Sequence, residues 1–263
     1  MKEDKQKSEK KRKPSKKFIY FLIILIVILA ECAILYYDYT TNDESFIDEV
    51  KGYIPFLGDS NTTVINETVS TVIGKNSIGT VSLEGPYGST DSNKTIAFIL
   101  GQHPRESNAH DAIYNALKNV SDELNASYYV YKINVTTESE DFEESRMNGQ
   151  LLAEEFVVPD AIEKKYDLVI DIHSSYGGYI QDPYIFAPLS TDTIAYDAAN
   201  NLTNAISYVT YYEPASYSSP QYSTIPMEEG GIPSIVFEMR GNPDHSLENE
   251  AVQFIYEVDK LLL

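Results

Sequence analysis

Hydrophobic and polar positions divide the chain into three regions. Residues 18–37 are apolar or aromatic almost throughout, with Glu31 as the one charged residue. Residues 38–78 are rich in Thr and Asn and show little periodicity. From residue 79 onwards, short apolar runs alternate with stretches whose apolar residues recur at helical spacing. The pattern predicts one transmembrane helix, then a stalk, then a folded domain over residues 79–263.

Within the folded domain, the apolar pattern predicts alternating strands and helices. Helical spacing is clear over 109–124 and 247–262 and weaker over 149–157 and 191–204. Such alternation is typical of an α/β domain, and we expect a three-layer α/β/α arrangement around a mainly parallel, mixed sheet. The apolar runs predict strands at residues 96–100, 128–133, 168–172, 208–212 and 234–237.

Charge is distributed unevenly on the two sides of the apolar segment. Residues 1–17 hold nine basic and three acidic residues, a net charge of +6, whereas residues 38–263 hold 11 basic and 36 acidic residues, a net charge of −25. The basic flank predicts a single-pass membrane anchor over residues 18–37, with a cytoplasmic tail over residues 1–17 and the body outside. A cleaved signal peptide is the alternative, although Ala30-Glu31-Cys32 is a poor cleavage site.

Two further features agree with an exterior location. The only cysteine, Cys32, lies in the apolar segment, so the body has no disulfide and relies on its core. Asn-x-Ser/Thr motifs are more frequent than the roughly 2.4 that the composition gives by chance, which predicts a glycoprotein. The seven Asn-x-Ser/Thr motifs begin at Asn61, Asn66, Asn93, Asn119, Asn125, Asn134 and Asn201. The acidic charge of the body argues against a nucleic-acid partner.

Candidate chemistry follows two of the predicted strands, at the sheet edge where ligands gather in α/β proteins. His103 and Glu106 lie three residues apart after a strand, a spacing that puts both side chains on one side of a helical turn. His173 follows the strand over 168–172, and Asp171 has the same side-chain parity, so we expect Asp171 to lie beneath His173 and support it. A His/Glu/His set with one position left for water is a catalytic zinc arrangement, which predicts one Zn²⁺ held by these three ligands.

A third strand ends on a glutamate. Residues 234–237 are predicted to form a buried strand, and Glu238 follows directly. A carboxylate beside a metal-activated water acts as general base and then as the acid that protonates the leaving amine. The alternative is an ordinary surface pair with Arg240, which would contribute little to stability. We expect Glu238 to be catalytic, whereas His110 and His245 are expected to face solvent or cap helices.

These segments resemble the motifs of the zinc carboxypeptidase family. Gly-Gln-His-Pro-Arg-Glu at 101–106 resembles the family's H-x-x-E metal motif, and Asp-Ile-His-Ser-Ser-Tyr at 171–176 resembles its third-ligand strand. Phe-Glu-Met-Arg-Gly at 237–241 resembles its catalytic segment. The motifs follow the family's order, and the aspartoacylase and succinylglutamate desuccinylase branch shares the same ligand pattern. The resemblance implies the zinc carboxypeptidase fold and a hydrolase.

The chain departs from the family pattern between its two histidine ligands. They are only 70 residues apart, and the Asn-Arg pair with which the family binds the substrate's terminal carboxylate is not present as such. The resemblance makes Arg146 the nearest arginine for that role and Arg105 a further candidate substrate contact. Tyr217 is the best match to the family's substrate-capping tyrosine, with Tyr222 as a second option.

The combined expectation is a membrane-anchored, extracytoplasmic hydrolase that cleaves a peptide with one zinc ion and Glu238 as general base. The enzymatic alternative is an N-acyl amino acid deacylase of the desuccinylase or aspartoacylase type. An alternative from another class is an inactive surface module that keeps the fold and only binds. Glu238 argues against that module, because binding alone needs no base beside three ligands. The sequence leaves the oligomeric state open.

Overall fold

The computed structural model describes residues 68–175, 183–189, 193–241 and 247–261. In these residues, helices flank both faces of one sheet. A π-helical segment, Ala153–Val157, joins the second helix to the third. The elements in chain order are β1 (Val69–Lys75), β2 (Gly79–Gly88), β3 (Thr95–Leu100), α1 (Ser107–Val120), β4 (Ser127–Val135), α2 (Phe142–Leu152), α3 (Val158–Lys164), β5 (Leu168–Ser175), β6 (Tyr184–Phe186), α4 (Ile194–Ala205), β7 (Thr210–Tyr211), α5 (Thr224–Glu229), β8 (Ser234–Arg240) and α6 (Leu247–Leu261).

The sheet has a parallel centre and antiparallel additions. Its strand order is β1-β2-β4-β3-β5-β8-β6-β7. Strands β4, β3, β5 and β8 are parallel neighbours, while β2 pairs antiparallel with β1 and β4, and β6 pairs antiparallel with β8. Because β3, β5 and β8 are adjacent and parallel, their carboxyl ends meet at one edge of the sheet. Residues that follow these three strands are therefore brought together.

Side-chain alternation along β5 shows how the two faces are covered. Ile170 and Ile172 pack in a core with α1, α4 and α6. Val169 packs on the opposite face, with α2, the π segment, α3 and α5. Both faces of the sheet are buried under helices, which confirms the predicted three-layer α/β/α arrangement. Asp171 and His173 share the parity of Val169 and so project to the α2 side.

The structure differs from the predicted elements at the ends of the sheet. Four of the five predicted strands form. The fifth, predicted over residues 208–212, has only two residues, Thr210–Tyr211. Residues 69–75, assigned to the stalk, form β1 and pair with β2, so the folded domain begins before residue 79. Most side chains of β1 are exposed. A strand held by backbone pairing at a sheet edge has no hydrophobic alternation that would predict it.

The predicted membrane anchor is not covered by the structure. Among the described residues, none of the helices combines the length and the hydropathy that crossing a membrane requires. Residues 1–17, 18–37 and 38–67 lie outside the described residues. The basic tail, the anchor and most of the stalk therefore stay predictions from sequence.

Candidate metal centre

The first two ligand candidates are placed by a sharp turn at the end of β3. Gly101 has a φ of +89°, and a Cβ at this position would lie 2.2 Å from the carbonyl oxygen of Ile133, so only glycine fits. The chain then forms a 3₁₀ turn, Pro104–Glu106, which puts His103 and Glu106 on the same side. His103 Nδ1 lies 2.9 Å from Glu106 Oε1.

The third candidate comes from the neighbouring strand. His173 on β5 is fully buried, and its Nδ1 lies 2.9 Å from Glu106 Oε2. The backbone N–H of Ser174 donates to the same oxygen at 3.1 Å. One ligand atom from each of His103, Glu106 and His173 lies within 4.8 Å of the other two. The sequence-predicted ligands are thus brought together, and both imidazoles direct Nδ1 to one carboxylate.

The charges in this cluster are unequal. Burial and the neighbouring His173 lower the pKa of His103 to about 4, so His103 is neutral at pH 7. Burial would also lower the pKa of His173, but the carboxylates of Asp171 and Glu106 outweigh it and raise this pKa well above its usual value. Burial would raise the pKa of Glu106, but the two imidazoles hold it well below its ordinary value. Glu106 is therefore ion-paired with His173 and hydrogen-bonded to neutral His103.

The cluster fits a zinc ion by its donor chemistry. Two imidazole nitrogens and a carboxylate oxygen are ligands that Zn²⁺ prefers, and a catalytic zinc site keeps a further position open. The open side here is a cleft of about 690 Å³, lined by His103, Glu106 and Glu238 among others. Three protein donors with one accessible side satisfy both requirements.

Asp171 lies behind His173, as its strand parity predicted. Its Oδ2 is 3.2 Å from His173 Nε2, close enough for an ion pair although off the axis of a hydrogen bond. The hydroxyl of Ser223 donates to Oδ2 at 2.8 Å. Gln102, with its amide nitrogen turned towards Asp171, lies 3.1 Å from Oδ1 and 2.6 Å from Oδ2. Asp171 is thereby fixed against the side of the His173 ring that faces away from Glu106.

Glu238 occupies the position on β8 that pairs with His173 on β5. Its carboxylate lines the cleft of the ligand cluster and also an adjacent cavity of about 390 Å³. Burial raises the pKa of Glu238 to about 7, and the nearby Glu106 contributes in the same direction. A half-buried carboxyl group whose pKa is close to neutral is suited to accepting and returning a proton.

Helix α2 brings a second set of polar groups to the ligands. Arg146 Nη1 lies 2.8 Å from Glu106 Oε1, and its side chain lines both cavities. Gly149 allows the close approach of the helix, because a Cβ there would lie 1.9 Å from the carbonyl oxygen of Gln102. One residue further on, Gln150 contacts His103, with 3.1 Å between the two Nε2 atoms.

The other two predicted substrate contacts lie further from the ligands. Arg105 is exposed at the rim of the cleft, with its guanidinium 5.6 Å from the centre of the Phe142 ring. Tyr217 lines the adjacent cavity, and its hydroxyl lies 3.1 Å from both the Pro188 carbonyl oxygen and a Glu213 carboxylate oxygen. The structure therefore places Arg105 beside the cluster and Tyr217 in the neighbouring cavity.

The expectation that His110 faces solvent or caps a helix is wrong. Its side chain is buried, and its Nε2 lies 3.0 Å from the carbonyl oxygen of Ile172. Residue 110 follows Glu106 by four positions, so it lies on the face of the first turn of α1 that packs against β5. Because His110 is a polar residue near the edge of the apolar stripe of α1, its burial was not evident from the sequence. His245 lies outside the described residues.

Four polar residues of the site were not singled out from the sequence: Gln102, Gln150, Ser218 and Ser223. Gln150 had one available signal, since it lies four residues after Arg146 and so shares a helix face with it. Gln102 stands directly before a ligand in the chain. Ser218 and Ser223 come from a distant loop and a helix start, and no local pattern distinguishes them.

The fold and the cluster together define a three-layer α/β protein with a candidate metal centre at the carboxyl ends of β3 and β5. The sequence matches no family model and no curated protein. Several solved structures resemble the chain at low sequence identity.

A metallo-carboxypeptidase from Burkholderia cenocepacia is 12% identical, with a TM-score of 0.47, over 75% of this chain and 64% of that one. An aspartoacylase family protein from Mesorhizobium loti is 13% identical, with a TM-score of 0.45, over 73% and 58%. A metallo-carboxypeptidase from Pseudomonas aeruginosa, in complex with (2-guanidinoethylmercapto)succinic acid, is 14% identical, with a TM-score of 0.44, over 74% and 62%. The chain thus spans less than two thirds of each. Their descriptions name both branches of the family that the sequence motifs resemble.

Proposed function

We propose that this protein is a zinc-dependent hydrolase that cleaves an amide bond in a peptide or an acyl-amino acid. His103, Glu106 and His173 would hold one zinc ion, and Asp171 would keep His173 oriented. When bound, zinc would lower the pKa of a water molecule and polarise the scissile carbonyl. The remaining chemistry falls to side chains of the cleft.

One observation carries the proposal. The three ligand atoms lie within 4.8 Å of one another, and Glu238 lines the same cleft from the strand position paired with His173. A metal held only for stability needs a closed set of ligands and no titratable carboxyl beside it. An open side with a carboxyl of raised pKa favours catalysis over the alternative of a module that only binds.

Glu238 would take a proton from the attacking water and return it to the leaving nitrogen. Its pKa of about 7 leaves it able to do both near neutral pH. Arg146 would bind a carboxylate of the substrate, because its guanidinium reaches both cavities and is 28% exposed along its side chain. Arg105 and Tyr217 remain predicted substrate contacts at the rim and in the adjacent cavity.

The two enzymatic alternatives differ in the acyl group, and Arg146 would serve either. A carboxypeptidase-like enzyme removes the last residue of a peptide, whereas a deacylase removes an acyl group from one amino acid. Both substrates carry a free carboxylate next to the scissile amide. We favour the peptide, because the cavity of about 390 Å³ beside Glu238 adds room for a side chain beyond the ligand cluster.

The test is metal analysis of the purified full-length protein, followed by hydrolysis of a peptide library and an N-acyl amino acid panel. We expect one zinc per chain and activity in wild type, with zinc retained and activity lost in Glu238→Gln. The exposed Glu154, changed to Gln, is the matched control and should leave activity unchanged. Peptides with an amidated C-terminus should react far more slowly than free acids. Wild type that binds stoichiometric zinc and cleaves none of these substrates would refute the proposal.

We also propose that residues 18–37 anchor the enzyme with its body outside the cell. The support is the apolar segment and the charge difference across it, both properties of sequence alone. Expression in intact cells with a C-terminal tag tests it. The tag should sediment with membranes and be removed by external protease, while an N-terminal tag should be protected. Recovery of the full chain in the soluble fraction would contradict the anchor.

The sequence also predicts a glycoprotein. The mass of the protein should therefore fall after enzymatic deglycosylation.

A further inference from the structure

One side chain joins three segments of the chain, each of which carries a proposed ligand or the proposed base. Asn108 lies in the first turn of α1, two residues after Glu106. Its Nδ2 donates to the carbonyl oxygen of Gly241 at 3.1 Å, and its Oδ1 accepts from the Ser174 hydroxyl at 3.2 Å. Ser174 follows His173 directly on β5, and Gly241 is the residue after the end of β8. A single amide therefore bridges the start of α1 and the ends of two strands.

The chemistry of the partners fixes the orientation of this amide. A backbone carbonyl oxygen only accepts hydrogen bonds, so the atom of Asn108 that faces Gly241 is the NH₂ nitrogen. The amide oxygen then faces Ser174, whose hydroxyl donates to it. A half turn of the amide would place two acceptor oxygens about as close as the present donor and acceptor, which are 3.1 Å apart. Only the observed orientation satisfies both partners.

Asn108 supplies the link between α1 and β8. The two strands are already joined to each other, because they pair along their length and the N–H of Gly241 donates to the carbonyl oxygen of Ser175. The start of α1 is joined to β5, because the N–H of Ser174 donates to Glu106. Among the residues that the structure describes, the contact of Asn108 with Gly241 is the one hydrogen bond that joins α1 to the end of β8.

We propose that Asn108 is a positioning residue that holds Glu238 in place relative to the ligand cluster. The inference rests on the proposed function, because it takes Glu238 as the general base. Glu238 lies three residues before Gly241, so the position of the Gly241 peptide constrains where the carboxylate stands in the cleft. A general base must lie within hydrogen-bond reach of the proton that it removes. Asn108 would therefore act through the position of the base and not by touching the substrate.

Steady-state kinetics of the zinc-loaded, full-length protein, with the peptide that wild type cleaves fastest, provide the first test. Asn108→Ala removes both contacts. A displacement of about 1 Å costs up to about 100-fold in rate, so we expect kcat to fall by about 10–100-fold. KM should stay close to the wild-type value, because the proposed carboxylate contact, Arg146, lies on α2. Zinc content should remain at one per chain. Asn115→Ala, at an exposed position of α1, is the matched control and should have wild-type kinetics.

A second variant separates positioning from a loss of helix stability. Asn108→Asp keeps an acceptor for the Ser174 hydroxyl but replaces the donor to Gly241 with an oxygen, so kcat should fall about as far as in Asn108→Ala. A carboxylate in the first turn of a helix interacts favourably with the helix dipole. A low kcat in Asn108→Asp would therefore not result from a weaker α1. Wild-type kcat in this variant would show that the link to β8 positions nothing and would overturn the inference.

A third measurement needs neither substrate nor metal. In the metal-free, full-length protein, the amide proton of Gly241 should exchange with solvent about 2–10-fold faster in Asn108→Ala than in wild type, because a hydrogen bond that stabilises this junction is lost. Asn115→Ala should leave the exchange rate unchanged. Hydrogen exchange followed by NMR measures it.

The outcomes distinguish the inference from the proposed function. Wild-type kcat in Asn108→Ala, or unchanged exchange at Gly241, would overturn the inference and leave the proposed function standing. Loss of zinc from Asn108→Ala would also overturn it, because Asn108 would then support the ligands and not the base. Wild type that binds zinc and cleaves no substrate would instead refute the proposed function itself.

Discussion

His173 and Glu238 are paired in register on the neighbouring parallel strands β5 and β8. Neighbouring strands lie about 4.8 Å apart, so the backbone fixes the separation of the ligand and the proposed base. Both side chains project from the face that α2 covers. The spacing between this candidate ligand and the proposed base therefore depends on strand pairing, which is among the most rigid features of the fold.

Activity should fall in acid as Glu238 becomes protonated. A protonated carboxyl cannot accept a proton, so kcat/KM should decline as pH drops through the pKa of Glu238. This pKa is about 7 in the metal-free protein. A bound dication would favour the charged form, so the midpoint of the acid limb should lie below 7. The pH profile of kcat/KM measures it.

Glu228 provides the control for that profile. Burial raises its pKa to about 7 as well, but it lines a different cavity. Glu228→Gln should leave the acid limb in place, whereas Glu238→Asp should shift it. A profile that stays flat between pH 5 and 8, on a scale set by ordinary carboxyl and histidine pKa values, would contradict the assignment of Glu238 as base.

Zinc affinity should increase with pH. The pKa of His173 is raised by Asp171 and Glu106, so the metal-free protein keeps a proton on His173 at neutral pH. Zinc must displace it, and affinity should fall about tenfold for each pH unit below that pKa. Calorimetry in two buffers with different ionisation enthalpies counts the released protons, and about one is expected. Binding without proton release would show that His173 is neutral or is not a ligand.

Asp171→Asn should weaken zinc binding by about 10–100-fold, because a carboxylate behind a metal-binding histidine raises its basicity and orients its ring. The variant should also release fewer protons when zinc binds, because the Asp171 carboxylate, the principal group that raises the pKa of His173, is gone. Titration with a competing chelator gives the affinity. The exposed Asp111, changed to Asn, is the control. Equal zinc affinity in Asp171→Asn and wild type would contradict the supporting role of Asp171.

Gly149→Ala should destabilise the fold. In an ordinary helix this change stabilises by about 1 kcal/mol, because alanine loses less conformational entropy. Here the new Cβ would lie 1.9 Å from the Gln102 carbonyl oxygen. Overpacking of this kind costs about 1–3 kcal/mol and should outweigh the gain. Urea unfolding measures the difference, with Met147→Ala, at an exposed position of the same helix, as control. An increase in stability would mean that α2 does not press on this loop.

Prediction from sequence succeeded where the signal was local. The strand that ends at His173, the parity of Asp171 and the three-residue spacing of His103 and Glu106 each depend on neighbouring residues. It failed at β1, whose exposed Val, Ser and Thr side chains show no alternation and which forms only because β2 pairs with it. It also failed at His110, whose burial depends on how α1 meets the sheet.

The candidate ligands could be recognised from the sequence itself, because each motif follows a hydrophobic run that becomes a central parallel strand. The tertiary structure decided which other groups meet those ligands. Gln150 reaches His103 across 47 positions of sequence, and Arg146 reaches Glu106 across 40. Both contacts exist because α2 packs against the ligand loop at Gly149. Contacts between distant segments depend on packing, which no local spacing records.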